Sequence, residues 1–223
     1  MTARGCRLFR YDAVVLDFDG VLVESVAVKT RAFAALYAEY GPEVVAQVVA
    51  YHLAHGGVSR FEKFRHCHRA FLAQALSATA EAALGARFSA LVENAVVQAP
   101  WVAGAREFLE RHYRRLPLLV ASGTPEEELK RIIARRGAGH YFAGVRGAPF
   151  SKAEFIAVFV KDRNLQPDRV LMVGDSNTDY EAAQETGVSF LGIAAAASLF
   201  PGAVAVLPDL TGLEDCLVTR ASQ

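Results

Sequence analysis

Short apolar runs alternate with stretches of helical periodicity along most of this chain. Four of the runs have the pattern of β-strands, and they cover residues 11–18, 116–122, 169–175 and 187–193. Continuous apolar runs of this length, separated by helices, are typical of parallel strands that are buried on both faces. The pattern therefore predicts an α/β fold built on a doubly wound, Rossmann-like parallel sheet.

The stretch from residue 23 to residue 99 has no convincing strand and carries helical patterns instead. Phe33, Leu36, Tyr37 and Tyr40 form one apolar stripe at helical spacing, and Gly-Pro follows at residues 41–42. We predict a helical cap domain over residues 23–99, inserted into a core domain formed by residues 1–22 and 100–223.

Helices are also predicted between the later strands. Residues 125–137 open with Pro and three acids, close with basic residues and stop at Gly, an order that complements a helix dipole at both ends. Phe155, Ile156, Phe159 and Val160 repeat at helical spacing in a second segment. Strand and helix thus alternate through the second half of the chain.

Composition and charge place the chain of 223 residues among ordinary globular proteins. Lys+Arg equals Asp+Glu at 24 each, so no excess of basic charge favours nucleic acid or an anionic membrane as a partner. Cys6, Cys67 and Cys216 are widely spaced, which favours free thiols in a reducing compartment. With no apparent signal peptide or bilayer span, we expect a cytoplasmic protein, either monomer or homodimer.

Two carboxylates, Asp17 and Asp19, stand at the end of the first apolar run, just before Gly20. Residues i and i+2 of a strand point to the same side, so both can begin on one face. Alone, this DxD pattern is explained as well by a turn, a helix cap or the metal motif of nucleotide-sugar enzymes. An EF-hand does not fit, because Gly20 follows the second acid directly.

The other apolar runs also end in polar residues. Ser122 ends the second run and Gly123 follows it. Asp175 ends the third run, Asp179 lies four residues further on, and Lys152 opens a predicted helix. The carboxyl ends of parallel strands share one edge of a sheet, so these residues should meet in one crevice. Two of these residues could instead have purely structural roles. Lys152 could be a surface residue at a helix start, and Ser122 could be a helix N-cap.

Such a crevice would suit phosphoryl transfer. Oxygen ligands without Cys or His favour Mg²⁺, which readily takes an oxygen of a substrate phosphate. Lys152, the Ser122 hydroxyl and the backbone N–H groups around Gly123 would hold the other phosphate oxygens. Asp17 could then act as a covalent nucleophile and Asp19 as the acid and base.

The order DFDGV, ASGT, a helix-opening Lys and GDSNTD resembles the haloacid dehalogenase-like superfamily of phosphohydrolases. The resemblance covers the core, and the helical segment looks like that superfamily's cap domain of the first class. Residues near Gly104 and the pair Glu24-Ser25 resemble, more weakly, its phosphoglycolate phosphatase and β-phosphoglucomutase branch.

The resemblance implies roles for the motif residues. Asp17 would be the nucleophile and Asp19 the acid/base, while Ser122 and Lys152 would bind the phosphoryl group. Mg²⁺ would take the Asp17 carboxylate, the Asp19 backbone carbonyl and Asp175. Asp179 would support the metal site or orient Lys152.

The expected function is a Mg²⁺-dependent phosphatase that hydrolyses a small phosphorylated metabolite through an aspartyl-phosphate intermediate. A phosphomutase of the β-phosphoglucomutase type is the first alternative, since it would return the phosphoryl group to a sugar hydroxyl instead of water. A metal-dependent nucleotide-sugar transferase, which uses the DxD only to hold metal, is the second.

The segment GGVSRFEKFR at residues 56–65 carries two cations in the predicted cap. A capping box of Ser59 and Glu62 at a helix start explains the pattern structurally. The resemblance implies a further role, because in capped phosphatases of that superfamily this cap loop contacts the part of the substrate beyond phosphate. We therefore predict that Arg60, together with Lys63, faces the crevice and contacts an anionic or hydroxylated leaving group. The nearby His52 has no Cys or acidic companion at zinc spacing, so packing is its expected role.

Overall fold

The computed structural model describes residues 9–194, 200 and 204–218, and a parallel sheet forms its centre. The strands are β1 Ala13–Leu16, β2 Leu118–Pro125, β3 Gly144–Ala148, β4 Val170–Gly174, β5 Ser189–Ile193 and β6 Val206–Leu207. Across the described residues the sheet order is β3-β2-β1-β4-β5-β6, and each pairing is parallel. This is the doubly wound order, so the predicted fold class is confirmed.

Helices follow the strands on both sides of the sheet. They are α1 Val26–Leu36, α2 Pro42–Ala54, α3 Arg60–Phe71, α4 Ala78–Gln98, α5 Ala105–His112, α6 Glu126–Arg135, α7 Lys152–Asp162, α8 Asn177–Thr186 and α9 Leu213–Leu217. Short 3₁₀ turns cover Ala38–Tyr40, Gly139–Tyr141 and Pro167–Arg169. The helix predicted over residues 125–137 is confirmed as α6.

Both faces of the sheet are buried, which explains its continuous apolar strands. Val14 and Leu16 of β1 lie in a core shared with α5, α6 and the helices before α5. Ala13 and Val15 point to the other face, where they pack with α7 and α8. Because successive side chains of a strand alternate between faces, every residue of β1 meets apolar neighbours.

Helices α1–α4, which we call the helical insert (residues 26–98), lie between β1 and α5. Aromatic rings hold the insert together: Phe33 lies 5.6 Å from Phe64 and 4.8 Å from Phe88, measured between ring centroids. Arg136 of the core ties down the end of the insert, since its Nη1 donates to the carbonyl oxygens of Val96, Val97 and Ala99. The domain limits at residues 23 and 99 stay a prediction.

Two strands were not predicted from the pattern of apolar residues. β3 has the sequence GVRGA and β6 has only two residues, and both lie at the edges of the sheet. An edge strand packs against a neighbour on one side only, so it needs fewer apolar residues than a central strand.

Cys67 and Cys216 are free thiols, while Cys6 lies outside the described residues. Among the helices of the described ranges, none combines the length and apolar character needed to cross a lipid bilayer.

Candidate active site

The reversal of strand order between β1 and β4 positions the candidate site. Strands β1, β2 and β3 proceed to one edge of the sheet, and β4, β5 and β6 proceed to the other. In doubly wound sheets the ligand crevice opens at this reversal, outside the carboxyl ends of the strands. Asp17 follows β1 there, and its backbone N–H donates to the carbonyl oxygen of Val173 in β4 at 2.9 Å. Asp175 follows β4 at the same end.

Three carboxylates meet at this point. One oxygen from each of Asp17, Asp175 and Asp179 lies within 4.8 Å of the others. Burial raises the pKa of Asp17 to about 7, and the charges of Asp179 and Asp19 add to the rise while Lys152 opposes it. Burial and the charges of Asp17 and Asp179 likewise raise the pKa of Asp175 well above its usual value. A cluster of this kind calls for positive charge.

Lys152 supplies part of that charge. The first residue of α7, it is 8% exposed, and its Nζ lies 3.0 Å from Asp17 Oδ2 and 2.5 Å from Asp179 Oδ1. Burial alone would lower the pKa of Lys152, but the two carboxylates outweigh it and raise that pKa. The other Asp179 oxygen, Oδ2, accepts from the backbone N–H and the hydroxyl of Ser176 at 3.1 and 2.6 Å. Asp179 is thus fully engaged in holding Lys152 and the start of α8.

Asp19 has a different set of partners. Its Oδ2 pairs with Lys29 of α1 and accepts from the Thr124 hydroxyl at 3.1 Å, and its Oδ1 accepts from the Ser25 hydroxyl at 2.5 Å. Burial would raise the pKa of Asp19, but these contacts, led by Lys29, lower it. Asp19 is therefore held in its ionised form, away from the three clustered carboxylates.

The end of β2 forms another wall of the site. Ser122 and Thr124 are each 3% exposed, and the Ser122 hydroxyl lies 3.5 Å from Asp19 Oδ2. That hydroxyl accepts from the Thr124 backbone N–H at 3.1 Å. The alternative role of Ser122 as a helix N-cap is not seen, because α6 begins after Pro125 without a side-chain cap.

A cavity of about 200 Å³ joins this edge of the sheet to the helical insert. Asp17, Asp19 and Ser122 line one end of it. Residues of the insert line the other end, and they combine aromatic rings with basic groups: Lys29, Phe33, His52, Arg60, Lys63 and Phe88. Small, partly apolar pockets with a few polar groups at fixed positions are typical of sites for small molecules.

Arg60 and Lys63 line this cavity from the first turn of α3, not from a loop. Arg60 is 5% exposed and makes a bidentate pair with Glu128 of α6, at 2.9 and 2.5 Å. Lys63 is 3% exposed and contacts His52. Ser59 caps α3 through the backbone N–H of Phe61 at 3.4 Å. The predicted contact of both cations with a leaving group stays a prediction.

Three residues at the site received no site role from the sequence: Lys29 was not named, Ser25 entered only through the weaker family resemblance, and His52 was assigned to packing. Lys29 and Ser25 hold the Asp19 carboxylate, and His52 lines the cavity beside Lys63. Lys29 lies in α1 and Ser25 directly before it, so a helix predicted to start beside the ends of the strands would have indicated both as site residues. His52 carries no comparable signal, because only the packing of α2 against α1 brings it to the cavity.

The cluster fits a divalent cation on the chemistry of its donors. All of its ligands are oxygen atoms, which suits a hard cation. Within the described residues, the Asp175 carboxylate has no hydrogen bond or ion pair of its own, although it lies beside the buried carboxylates of Asp17 and Asp179. Gly20, with φ +79°, makes room for it, since a Cβ at residue 20 would lie 2.2 Å from Asp175 Oδ2. Asp17 and Asp175 are the carboxylates best placed to bind such a cation.

A doubly wound parallel sheet, with an acidic cluster where its strand order reverses, defines an α/β enzyme fold with a candidate metal site. The sequence matches the family of haloacid dehalogenase-like hydrolases over residues 11–187. The chain belongs to the haloacid dehalogenase-like hydrolase family, whose members are generally phosphatases that use a divalent metal. A search among curated proteins finds no match.

Solved structures share the fold at low sequence identity. The chain is similar to a predicted phosphoglycolate phosphatase from Haemophilus somnus, with 18% identity, a TM-score of 0.71 and coverage of 93% of this chain and 98% of that one. It is also similar to β-phosphoglucomutase from Clostridium difficile, with 14% identity, a TM-score of 0.75 and coverage of 91% and 93%. The chain is similar as well to a haloacid dehalogenase-like protein from Streptococcus pneumoniae, with 21% identity, a TM-score of 0.63 and coverage of 83% of this chain and 85% of that one.

Proposed function

We propose that this chain is a Mg²⁺-dependent phosphatase that hydrolyses a small phosphorylated metabolite through a covalent phosphate on Asp17. The observation that carries the proposal is the arrangement around Asp17: two further carboxylates within 4.8 Å and the Lys152 ammonium at 3.0 Å. Family membership supports a hydrolase, and the cavity of about 200 Å³ supports a small substrate. The expected cytoplasmic location belongs to the same proposal.

Binding of the phosphoryl group would use the residues around Asp17. Lys152 neutralises negative charge next to the attacking oxygen, and Asp179 fixes its position. Ser122 and Gly123 line the same end of the cavity, and the Ser122 hydroxyl and the N–H groups near Gly123 would bind phosphate oxygens. Phosphoryl transfer depends mainly on such positioning and charge neutralisation.

Asp17 and Asp175 would hold the cation, together with the Asp19 backbone carbonyl that the family resemblance implies. A bound Mg²⁺ would offset the repulsion among the carboxylates and keep Asp17 ionised, the form that attacks phosphorus. Phe18 helps to fix the nucleophile, because its backbone N–H donates to Asp17 Oδ1 at 2.6 Å.

Asp19 would transfer the protons. In the first step the Asp17 oxygen forms a bond to phosphorus, the bond to the leaving oxygen breaks, and Asp19 gives that oxygen a proton. In the second step water attacks the phosphorus and gives a proton to Asp19, while the bond from the Asp17 oxygen to phosphorus breaks, which releases phosphate and restores the Asp17 carboxylate. The Lys29 and Ser25 contacts favour the ionised form of Asp19, so substrate binding must weaken them before the first transfer.

The helical insert would act as a cap over the site. Its residues are the majority of those that line the cavity, opposite Asp17 and Ser122. A lid of this kind excludes bulk water and favours substrates whose leaving group fits the insert. The cap limits proposed for this role are residues 23 and 99.

A panel of phosphorylated sugars, nucleotides and short acids, incubated with the protein and Mg²⁺, tests the proposal. We expect release of inorganic phosphate from at least one small monoester. Conversion of a sugar phosphate to its isomer without phosphate release would favour the phosphomutase alternative. Dependence on Mn²⁺ and a nucleotide-sugar donor would favour the transferase. Either result would overturn the phosphatase assignment.

A further inference from the structure

The outer side of α7 is apolar where the fold leaves it open to solvent. A helix that packs on a sheet with one side normally carries polar and charged residues on the other. The α7 sequence, KAEFIAVFVKD, is apolar at most positions, yet Ala153 and Ile156 are its only buried apolar residues. Val158 is 57% exposed, and Ala157 beside it is exposed as well. The pattern of α7 is therefore that of a helix covered on both sides, although the described chain covers only one.

A groove runs along the exposed side of α7. It lies between α7 and the end of α8 and has a volume of about 560 Å³. Its apolar lining consists of Ala153, Ala157, Val160, Leu165 and Pro167. Val158 lies outside this lining, one residue along the helix from Ala157, so an exposed apolar side chain stands next to an apolar groove.

Two opposite charges flank the apolar centre of this side. Glu154 lies one turn before Val158 and Lys161 about one turn after it, so the three residues share one side of α7. Both charged residues are exposed, and neither forms an ion pair with another described residue. The Glu154 carboxylate accepts only from the backbone N–H of Ser151, at 2.8 Å. We call Glu154, Ala157, Val158 and Lys161 the α7 face.

The α7 face is complementary to itself under a two-fold rotation. When two copies of α7 lie antiparallel, Glu154 of each copy meets Lys161 of the other, and the two Val158 side chains meet the apolar residues in the middle. A closed dimer uses the same patch on both subunits, so it needs this order of negative, apolar and positive residues. A second copy of the chain supplies that order without any further requirement.

We propose that the chain forms a two-fold dimer in which the two α7 faces pack antiparallel, with a second copy of the chain as the occupant of the groove. The inference is independent of the proposed phosphatase function. It has one consequence for the candidate site, because α7 begins with Lys152, whose Nζ lies 3.0 Å from Asp17 Oδ2. The dimer would restrain the helix that carries this lysine.

Sedimentation equilibrium of the full chain, over a wide range of concentrations and at low and high salt, measures the association. We expect a monomer–dimer equilibrium. Val158→Asp puts a carboxylate into the apolar centre of the interface and should raise the dimer dissociation constant by about tenfold or more. Leu91→Asp is the matched control, since Leu91 is 48% exposed and lies on α4. It should leave the dissociation constant unchanged.

Two charge variants test the antiparallel arrangement without changing the apolar centre. Lys161→Glu opposes two carboxylates across the interface and Glu154→Lys opposes two ammonium groups, so each variant alone should dimerise at least about tenfold more weakly. Mixed in equal amounts, the two should form a heterodimer, because every cross-interface contact then joins a lysine to a glutamate. Mixing cannot repair a folding defect, and circular dichroism checks that α7 survives the loss of the capping box in Glu154→Lys.

A monomer at every concentration would overturn the proposal, even if the α7 face then proved to bind a different protein. A dimer that persists unchanged in Val158→Asp and in both charge variants would also overturn it, because another face would then hold the copies together. Failure of the two folded charge variants to form a heterodimer would contradict the antiparallel contact of Glu154 with Lys161.

Discussion

At the scale of single residues, Asp17 and Asp19 are close in sequence, yet the pKa values of their carboxyl groups shift in opposite directions. Burial raises the pKa of Asp17 to about 7, whereas Lys29, Ser25 and Thr124 overcome the effect of burial on Asp19 and lower its pKa. The two carboxylates are two residues apart, so the difference comes from the elements that face them. α1 provides Lys29, which keeps the second acid out of the carboxylate cluster.

The buried His52 predicts a pH dependence of stability. Burial, aided by the charges of Lys63 and Lys29 and opposed by Asp19, lowers its pKa from 6.5 to about 3. Between these values the unfolded chain binds a proton that the folded chain does not, so the free energy of unfolding rises with pH. The contribution of His52 to the slope of the free energy of unfolding against pH is at most about 1.4 kcal/mol per pH unit.

Urea unfolding of the protein and of His52→Gln, from about pH 4 to pH 6, measures this contribution. The variant should show the weaker rise of stability with pH, because its amide does not titrate. Parallel pH profiles for the two proteins would mean that His52 is not buried as a neutral ring.

The residues of the motifs could be predicted at this scale because each stands at the end of a strand or the start of a helix. Asp17, Ser122 and Asp175 were brought to one edge by the order of the strands alone. The contact of Lys63 with His52 could not be predicted, since it depends on how α2 and α3 pack. The pairing of Arg60 with Glu128, which lies 68 residues away in the chain, depends likewise on how α3 lies against α6.

At the scale of elements, the turn between α2 and α3 brings the insert against the end of β2. A Cβ at Gly123 would lie 2.3 Å from the carbonyl oxygen of Gly57, closer than side chains tolerate. The Thr178 hydroxyl at the start of α8 donates to the carbonyl oxygen of Gly56 at 3.4 Å. This turn therefore contacts the ends of two core elements at the site.

Gly123→Ala should disturb this contact. The added methyl group must displace backbone, not a flexible side chain, so the turn at residues 56–58 should move off the site. We expect kcat/KM to fall by about tenfold or more, because small misplacements of catalytic groups are costly. Hydrogen exchange should become faster at residues 56–58.

Gly139→Ala is the matched control, since nothing lies within 4 Å of a Cβ at that position. It should leave activity and exchange unchanged. Normal activity in Gly123→Ala would show that the turn does not need its observed position.

The central strands could be predicted from apolar runs because both sides of the sheet bury them, whereas the edge strands β3 and β6 could not. The GVRGA sequence of β3 includes an exposed arginine and two glycines, so its strand conformation depends on pairing with β2. In such segments tertiary contacts, not local preferences, decide the structure.

At the scale of the whole molecule, a buried ion pair joins the helical insert to the core. Arg60 and Glu128 are 5% and 3% exposed. The Ser89 hydroxyl of α4 also donates to Glu128, to its Oε2 at 2.5 Å. The Arg60 guanidinium also lies 4.5 Å from the Phe88 ring centroid. The pair fixes the position of the insert over the cavity, so its loss should destabilise both the insert and the core.

Removing one partner should cost more than removing both. Glu128→Leu leaves a buried guanidinium unpaired and should lower the free energy of unfolding by about 3–5 kcal/mol. The double variant Arg60→Met/Glu128→Leu removes the second charge as well and should recover much of that loss. Urea unfolding of Arg60→Met, Glu128→Leu and the double variant measures the coupling. Additive effects in the double variant would contradict a coupled ion pair.

The whole account depends on Asp17 acting as a nucleophile beside a bound divalent cation. Release of phosphate from p-nitrophenyl phosphate by the original protein and by Asp17→Asn, each with Mg²⁺ and with EDTA, tests this most directly. We expect turnover by the original protein with Mg²⁺, loss of that turnover in EDTA, and a rate lower by roughly a thousandfold or more in a folded Asp17→Asn variant. Comparable turnover in EDTA, or by Asp17→Asn, would contradict it.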